Sequence, residues 1–382
     1  MQLDSRAVFT QIKRLFIGFD KPLALFMFLL LGVGLVTLYS ASLDVPGRVE
    51  DQVRNILLSF ALMWMIANIP TQTLMRLAVP LYTVGIGLLV GVAMFGLTRK
   101  GARRWINVGV VIQPSEVMKI AMPLMLAWYY QKREGVVRWY DYIVGFILLA
   151  VPVGLIAKQP DLGTAVLVLA SGLFVIYFAG LSFRLILPVL LAIVIAAGSV
   201  VAFEGKICQP QVQWPMMHDY QKHRICILLD PQSDPLGQGF HTIQAVIAIG
   251  SGGMLGKGWL KGTQAHLEFI PEKHTDFIFA VFSEEFGLVG GLVLLFLYLC
   301  LIARGLYVAA NGATLFARLL AGALAMSFFT YAFVNVGMVS GILPVVGVPL
   351  PFMSYGGTAL VTLGLGVGII MSVGKQKRLM QS

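Results

Sequence analysis

Where a long polar loop meets one of the most apolar stretches of the chain stand Lys273, His274, Thr275, Asp276 and Phe277. A carboxylate at that junction has water on one side and a low-dielectric wall on the other, which retunes its proton affinity. Ionisable groups kept near a bilayer tend to be functional. Glu268, Glu272, His274 and Asp276 crowd this boundary, and a divalent cation between such carboxylates is conceivable. Their spacing matches no dedicated metal motif.

Three other constellations invite chemistry. Glu116 and Lys119, three apart behind Pro114, share one helical face and can pair. They read as a structural ion pair that also tunes the local field, or as a cation aimed at an anionic substrate. Asp161, in Lys158-Gln159-Pro160-Asp161-Leu162-Gly163-Thr164, suits a helix N-cap, and its place at the mouth of a bundle keeps a substrate role open. Arg99, Lys100, Arg103 and Arg104 gather in one short loop without an acid, as lipid anchors or as a site for an anionic ligand. A further loop carries His218-Asp219-Tyr220-Gln221, Arg224, Asp230 and Asp234, several of them ordinary turn residues.

The elements that must hold these groups are membrane helices. The chain has 382 residues, of which 58% are hydrophobic and 12% charged. That balance excludes a soluble globular domain and marks an all-α polytopic membrane protein. Apolar runs near 22–42, 55–70, 77–97, 114–130, 142–157, 161–180, 183–203, 277–303, 314–339 and 353–373 predict ten spans in a single integral domain, 1–382. The first lacks a small-residue cleavage site and reads as retained. Lys and Arg, Arg184 and Arg304 among them, collect on the side of both termini, which predicts a cytoplasmic N- and C-terminus. A large extracytoplasmic loop, 204–276, then lies between helices 7 and 8, and Arg103 and Arg104 defy the bias from the outer side. Within that loop Thr242–Gly253 is apolar, glycine-rich and too short to cross, so protein must cover it.

The net charge of +10 reports topology, and nothing resembles a nucleic-acid module. Cys208 and Cys226 share the large loop, where an oxidising compartment would permit a disulfide; without a framework of paired spacings, free thiols are expected. Serine-hydrolase, Walker, dinucleotide and zinc-protease motifs are missing from the sequence.

The segment from Asn335 through Gly341-Ile342-Leu343-Pro344-Val345-Val346-Gly347-Val348-Pro349-Leu350-Pro351-Phe352-Met353-Ser354-Tyr355-Gly356-Gly357-Thr358 resembles the signature of the SEDS family (shape, elongation, division and sporulation). Gly101 to Trp105, Gln113 to Glu116, Gln159 to Thr164 and Phe269 to Phe277 extend the resemblance over nearly the whole chain. His218 to Gln221 and Asp234 to Gly237 look closest to the family's RodA, or elongation, branch rather than its FtsW branch. Glu204–Pro215 departs from the pattern as an enlargement before His218.

The resemblance implies a ten-helix peptidoglycan glycosyltransferase of the bacterial inner membrane. It would polymerise lipid II on the outer face, beside a class B penicillin-binding protein transpeptidase and other elongation-complex membrane proteins. Asp276 falls in the motif of the family's catalytic aspartate, and Glu116 and Lys119 match its charged pair. A sugar 4-hydroxyl attacking a lipid-linked donor needs a base, for which Asp276 is the candidate. The departing diphosphate needs cations, for which Arg103, Arg104, Lys119 and Lys273 are candidates, with or without a divalent ion. His274, Thr275, Asp161 and Ser354 complete the candidate substrate set, in membrane lipid and with no cofactor evident. A flippase of lipid-linked precursors would need alternating access and no base, and a scaffold would need none of these groups.

Overall fold

The computed structural model describes residues 19–380 apart from 100, 101, 108, 110, 210, 211, 213, 215–218, 235, 236, 267–269 and 271. Lys100, His218, Pro235, Leu236, Glu268 and Pro271, singled out above, lie outside the described residues.

Each expected span coincides with one helix. These are α1 (Lys21–Ala41), α2 (Arg48–Ala67), α3 (Thr71–Phe95), α4 (Pro114–Lys132) and α5 (Trp139–Lys158). After α6 (Leu162–Phe178) and α7 (Phe183–Ala202) come α12 (Ile278–Ala310), α13 (Leu315–Val339) and α14 (Gly357–Met380). Helix α2 starts well before its apolar run, because Arg48, Glu50 and Arg54 are good helix formers and Glu50 and Asp51 suit the first turn, all of which hydropathy alone discounts. Seven of the ten, α1, α3, α5, α7, α12, α13 and α14, are long and apolar enough to cross a membrane. Asp20 caps α1 by accepting from Leu23 N at 3.1 Å, and it holds the Arg304 guanidinium of α12 through Nε at 2.9 Å and Nη2 at 2.8 Å. That fork ties the first helix to the eighth of the ten.

Helix α14 packs closely along α2, and small residues allow the approach. A Cβ at Gly364 would meet Ser59 Oγ at 2.2 Å, and one at Gly368 would meet Met63 O at 2.5 Å. Between α3 and α4 the chain forms a three-stranded antiparallel sheet, β1 (Leu97–Arg99), β2 (Ala102–Asn107) and β3 (Val111–Ile112). Successive side chains on β2 point to opposite faces, which separates Arg103 from Arg104.

Helix α12 is broken at Gly287, whose φ of 65° and ψ of −165° leave the helical region. The loop at 253–258 fills the break. Lys257 N and Gly258 N donate to the carbonyls of Glu284 and Glu285 at 3.0 Å each, and Leu288 N and Val289 N donate to Gly253 O at 2.9 Å and Met254 O at 3.1 Å. Two acids inside an apolar helix are matched in the same place. Glu284 accepts from Lys257 Nζ at 2.6 Å, Thr263 Oγ1 at 3.1 Å and Gln264 N at 3.0 Å, while Glu285 accepts from Leu260 N at 3.1 Å.

The segment from 204 to 276 holds α8 (Glu204–Ile207), α9 (Asp219–Leu229), α10 (Gln238–Ser251) and α11 (Thr263–His266). The apolar Thr242–Gly253 stretch is the body of α10, buried at Thr242, Ala245 and Ala248 against α12. One expectation is corrected here: Cys208 and Cys226 form a disulfide rather than two free thiols. Helix α9 doubles back along the end of α8, so two cysteines 18 residues apart in sequence meet in space. Cys300 is the free thiol.

Candidate active site

Three segments converge around Asp276. The turn at 272–277 delivers it, with Thr275 N and Phe277 N both donating to Glu272 O, at 3.0 and 3.4 Å. The segment 345–356 is stapled to that turn. Tyr355 N donates to His274 O at 2.8 Å, Ser354 Oγ donates to Thr275 O at 2.6 Å, and Leu350 N donates back to Ser354 Oγ at 2.7 Å. Below both, buried Asn335 of α13 donates its amide to Asp276 O at 2.8 Å and to Val348 O at 2.7 Å. Gly347, with φ of 73°, lies against the catalytic candidate: a Cβ there would stand 3.3 Å from Asp276 Oδ2. Glu272 and Phe352 flank the site at φ of 50° and 62°, sparsely populated conformations for residues with side chains.

These segments wall a cleft of about 520 Å³, together with the β2 end of the small sheet and the face of α9. Among the described residues its charged lining consists of two guanidinium groups, Arg104 and Arg224, and two carboxylates, Glu272 and Asp276. Trp105, Gln113, Thr275, Ser354 and Tyr355 add polar and aromatic surface. A carboxylate and two guanidinium groups that line one cleft can divide the work, the first taking a proton from a hydroxyl while the others hold a departing anion.

Of the candidate substrate and catalytic residues, Arg104, Thr275, Asp276 and Ser354 line this cleft, beside Glu272 and Arg224. Arg103 turns away and donates to Ala93 O of α3 at 3.3 Å. Asp161 stands behind the wall. It caps α6 through Thr164 N at 3.3 Å, accepts from Gln113 Nε2 at 3.0 Å and approaches Arg104 Nη1 at 3.8 Å. It therefore aims two lining residues, Gln113 and Arg104, into the cleft. Lys273 is buried and lies 3.1 Å from Asp44 Oδ1, outside the lining. Beside it His274 is also buried, and burial followed by the Arg48 charge holds its imidazole down at about 4.

Glu116 and Lys119 pair at 2.6 Å one layer deeper. Glu116 also accepts from Thr362 Oγ1 at 3.2 Å, and the Lys119 ammonium sits 5.3 Å from the centre of the Tyr331 ring. Lys119 and Tyr331 line a second, small cavity of about 20 Å³, room for about one water. Leu363 borders both this cavity and the cleft. Among the described residues no three His, Cys, Asp or Glu side chains converge to hold a metal ion.

Sequence reasoning named Glu272 as a boundary carboxylate, Arg224 as a loop cation and Asn335 as the start of the family signature, without assigning any of them to the site. Arg224 is one cation in a mixed polar and apolar stretch of the outer loop, and its aim depends on how α9 folds back.

A family model described as a cell cycle protein of the FtsW, RodA and SpoVE type matches residues 21–379. The chain belongs to the FtsW/RodA/SpoVE family. That is the family whose signature the segment from Asn335 to Thr358 resembles. Among FtsW/RodA/SpoVE proteins, the peptidoglycan glycosyltransferase MrdB of Escherichia coli is 48% identical over 362 residues, 94% of this chain and 95% of the relative. The peptidoglycan glycosyltransferase RodA of Treponema pallidum is 31% identical, covering 93% of this chain and 97% of the relative. A chain solved in a peptidoglycan synthase complex, in work on coordinated polymerization and crosslinking, superposes with a TM-score of 0.77. It is 33% identical and covers 94% of this chain and 98% of that one. The rod shape determining protein RodA of Thermus thermophilus superposes at 0.69 with 29% identity, covering 94% of this chain and 97% of that one.

Proposed function

We propose that this chain is a peptidoglycan glycosyltransferase that polymerises lipid II into glycan strands during cell elongation, with Asp276 as the general base. The observation that carries the reading is the placement of Asp276 in a cleft of about 520 Å³ faced by Arg104 and Arg224. Asp276 takes the proton of the attacking 4-hydroxyl as the new glycosidic bond forms, and the anomeric carbon passes through an oxocarbenium-like state. Arg104 and Arg224 stabilise the departing diphosphate, whose charge grows as the old bond breaks. The Glu116–Lys119 pair supports the floor of the site and sets its field. No resident metal enters the scheme; any divalent cation would travel with the diphosphate.

The cleft then opens on the outer face of the bacterial inner membrane, with ten spans, both termini cytoplasmic and 204–276 as the large extracytoplasmic loop. The lipid tail of the substrate lies in the bilayer. A class B penicillin-binding protein that crosslinks the nascent glycan, within a larger elongation complex, is the partner this activity calls for. Support comes from the glycosyltransferase names of the relatives and from the likeness to a chain of a peptidoglycan synthase complex.

The test is polymerisation of purified lipid II by the purified protein and by Asp276→Asn, with an inhibitor of classical glycosyltransferases present. The wild type should make polymer, and the variant should fold yet run about 10²–10⁴-fold slower. Near wild-type rates from the variant would remove Asp276 as base, and absence of polymer from the wild type would remove the polymerase reading.

A further inference from the structure

Helix α9 carries two different faces. Lys222 and Cys226, four apart, share one side, while Arg224, Ile227 and Leu228 lie about 140–240° around the helix from Lys222. On the inner face Ile227 is buried, and Arg224, Ile227 and Leu228 line a small cavity with Thr242, Leu343 and Pro344. From there Arg224 also reaches the cleft that holds Asp276. The outer face is stitched to the enlarged segment before it. Cys226 is bonded to Cys208, and Lys222 Nζ donates to Gln209 O and Val212 O at 2.6 Å each. Trp214 Nε1 donates to Ile207 O at 3.1 Å, closing the segment on itself.

An isolated helix of 11 residues is marginal in water and needs tertiary support. Helix α9 has one covalent support, and it joins the helix to the end of α8, directly after the span α7. The Lys222 bonds are exposed to water and hold the helix weakly by comparison.

We infer that the Cys208–Cys226 bond is a positioning device that holds Arg224 in the cleft, so that the oxidation state of this pair sets the affinity for the anionic diphosphate of lipid II. The inference rests on the polymerase reading for its ligand. It makes the two cysteines positioning residues that act through Arg224. Formation of the bond is thiol–disulfide exchange with a disulfide-bearing oxidant: the two thiols lose two electrons and two protons, and the oxidant's disulfide becomes two thiols. Reduction by a dithiol runs the same exchange backwards. An extracytoplasmic placement of 204–276 supplies the oxidising side.

The experiment uses the full-length protein in three forms: oxidised, reduced with a dithiol, and Cys208→Ser/Cys226→Ser. Polymerisation is measured against lipid II concentration, and amide hydrogen exchange is followed across residues 219–229. Reduced and serine forms should show a KM about 10-fold higher together with a lower kcat, because Arg224 also stabilises the departing diphosphate, and at least about 10-fold faster exchange in α9. Reoxidation should restore the reduced wild type and leave the serine form unchanged. In an Arg224→Ala background, reduction should shift KM no further, which a merely stabilising disulfide would not predict. An unchanged KM and unchanged exchange on reduction overturn the inference, as does a reductant effect of equal size in the serine form. So does intact mass analysis finding three free thiols in protein taken from cells. Absence of polymer from every form, the oxidised wild type included, overturns the polymerase reading instead, and exchange in α9 still decides the staple.

Discussion

Asn335 and Asp276 are joined side chain to main chain: the Asn335 amide donates to the Asp276 carbonyl at 2.8 Å and to the Val348 carbonyl at 2.7 Å. One buried side chain thus fixes the turn that carries Asp276 and the proline-rich segment in a single frame. Asn335→Ala should leave both carbonyls without that donor, at a cost of about 1–3 kcal/mol for each buried group. Asn335→Asp should fare worse, because an ionised carboxylate cannot donate. Both variants should melt lower and lose turnover more than lipid II affinity, read by thermal denaturation and by the split between kcat and KM. Wild-type kcat in Asn335→Ala would show that the frame does not position the base.

The Glu116–Lys119 pair is predominantly buried, with side chains 13% and 7% exposed. Replacing either partner alone strands a charge, and a loss of about 3–5 kcal/mol is expected. Lys119→Met and Glu116→Gln should both melt early in detergent. A charge-swapped double variant should regain stability but not turnover, since the ammonium would leave Tyr331 and the carboxylate would leave Thr362. Full activity in the swap would refute a positional role for Lys119.

Arg103 and Arg104 are neighbours with opposite aims, one toward Ala93 and one into the cleft. Cysteines placed singly at the two positions should both react with a membrane-impermeant thiol reagent in intact spheroplasts. Purified lipid II should protect the cysteine at 104 and leave the one at 103 reactive. Labelling only after lysis would invert the proposed topology, and equal protection would contradict the divergence along β2.

His274 gives the fold a dependence on pH. Its imidazole is held at about 4 against an ordinary 6.5, first by burial and then by the Arg48 charge. Between those values the unfolded chain binds more protons at this site than the folded one, so stability falls as pH drops from 6.5 toward 4 and is level above 6.5. Melting temperatures measured from pH 7.5 to 5 should decline on acidification, and His274→Gln should flatten that decline. An unaltered slope in the variant would assign the dependence to other groups.

The helices were legible because a chain that meets lipid must write them as long apolar runs, and each expected span falls on a helix. Asp161 as a cap was legible too, from its place before Leu162-Gly163-Thr164. The site was legible as a set of motifs and not as an arrangement. Two adjacent arginines cannot be told apart until strand β2 alternates them, and no local pattern pairs Lys273 with the distant Asp44. The disulfide and the aim of Arg224 both follow from α9 doubling back, a tertiary event with no local pattern. Glu284 and Glu285 stand out in the sequence as acids in an apolar run, but nothing local names the residues of 257–264 that meet them.

The break at Gly287 bears on how the protein is made. An interrupted helix exposes main-chain groups that a bilayer cannot satisfy. Here those groups are met by residues 253–258, which come earlier in the chain than the helix they complete. During synthesis the complement therefore exists before the defect does. The eighth long helix never has to wait in lipid with its hydrogen bonds open, and a chain whose loop was reordered to follow the helix would have to.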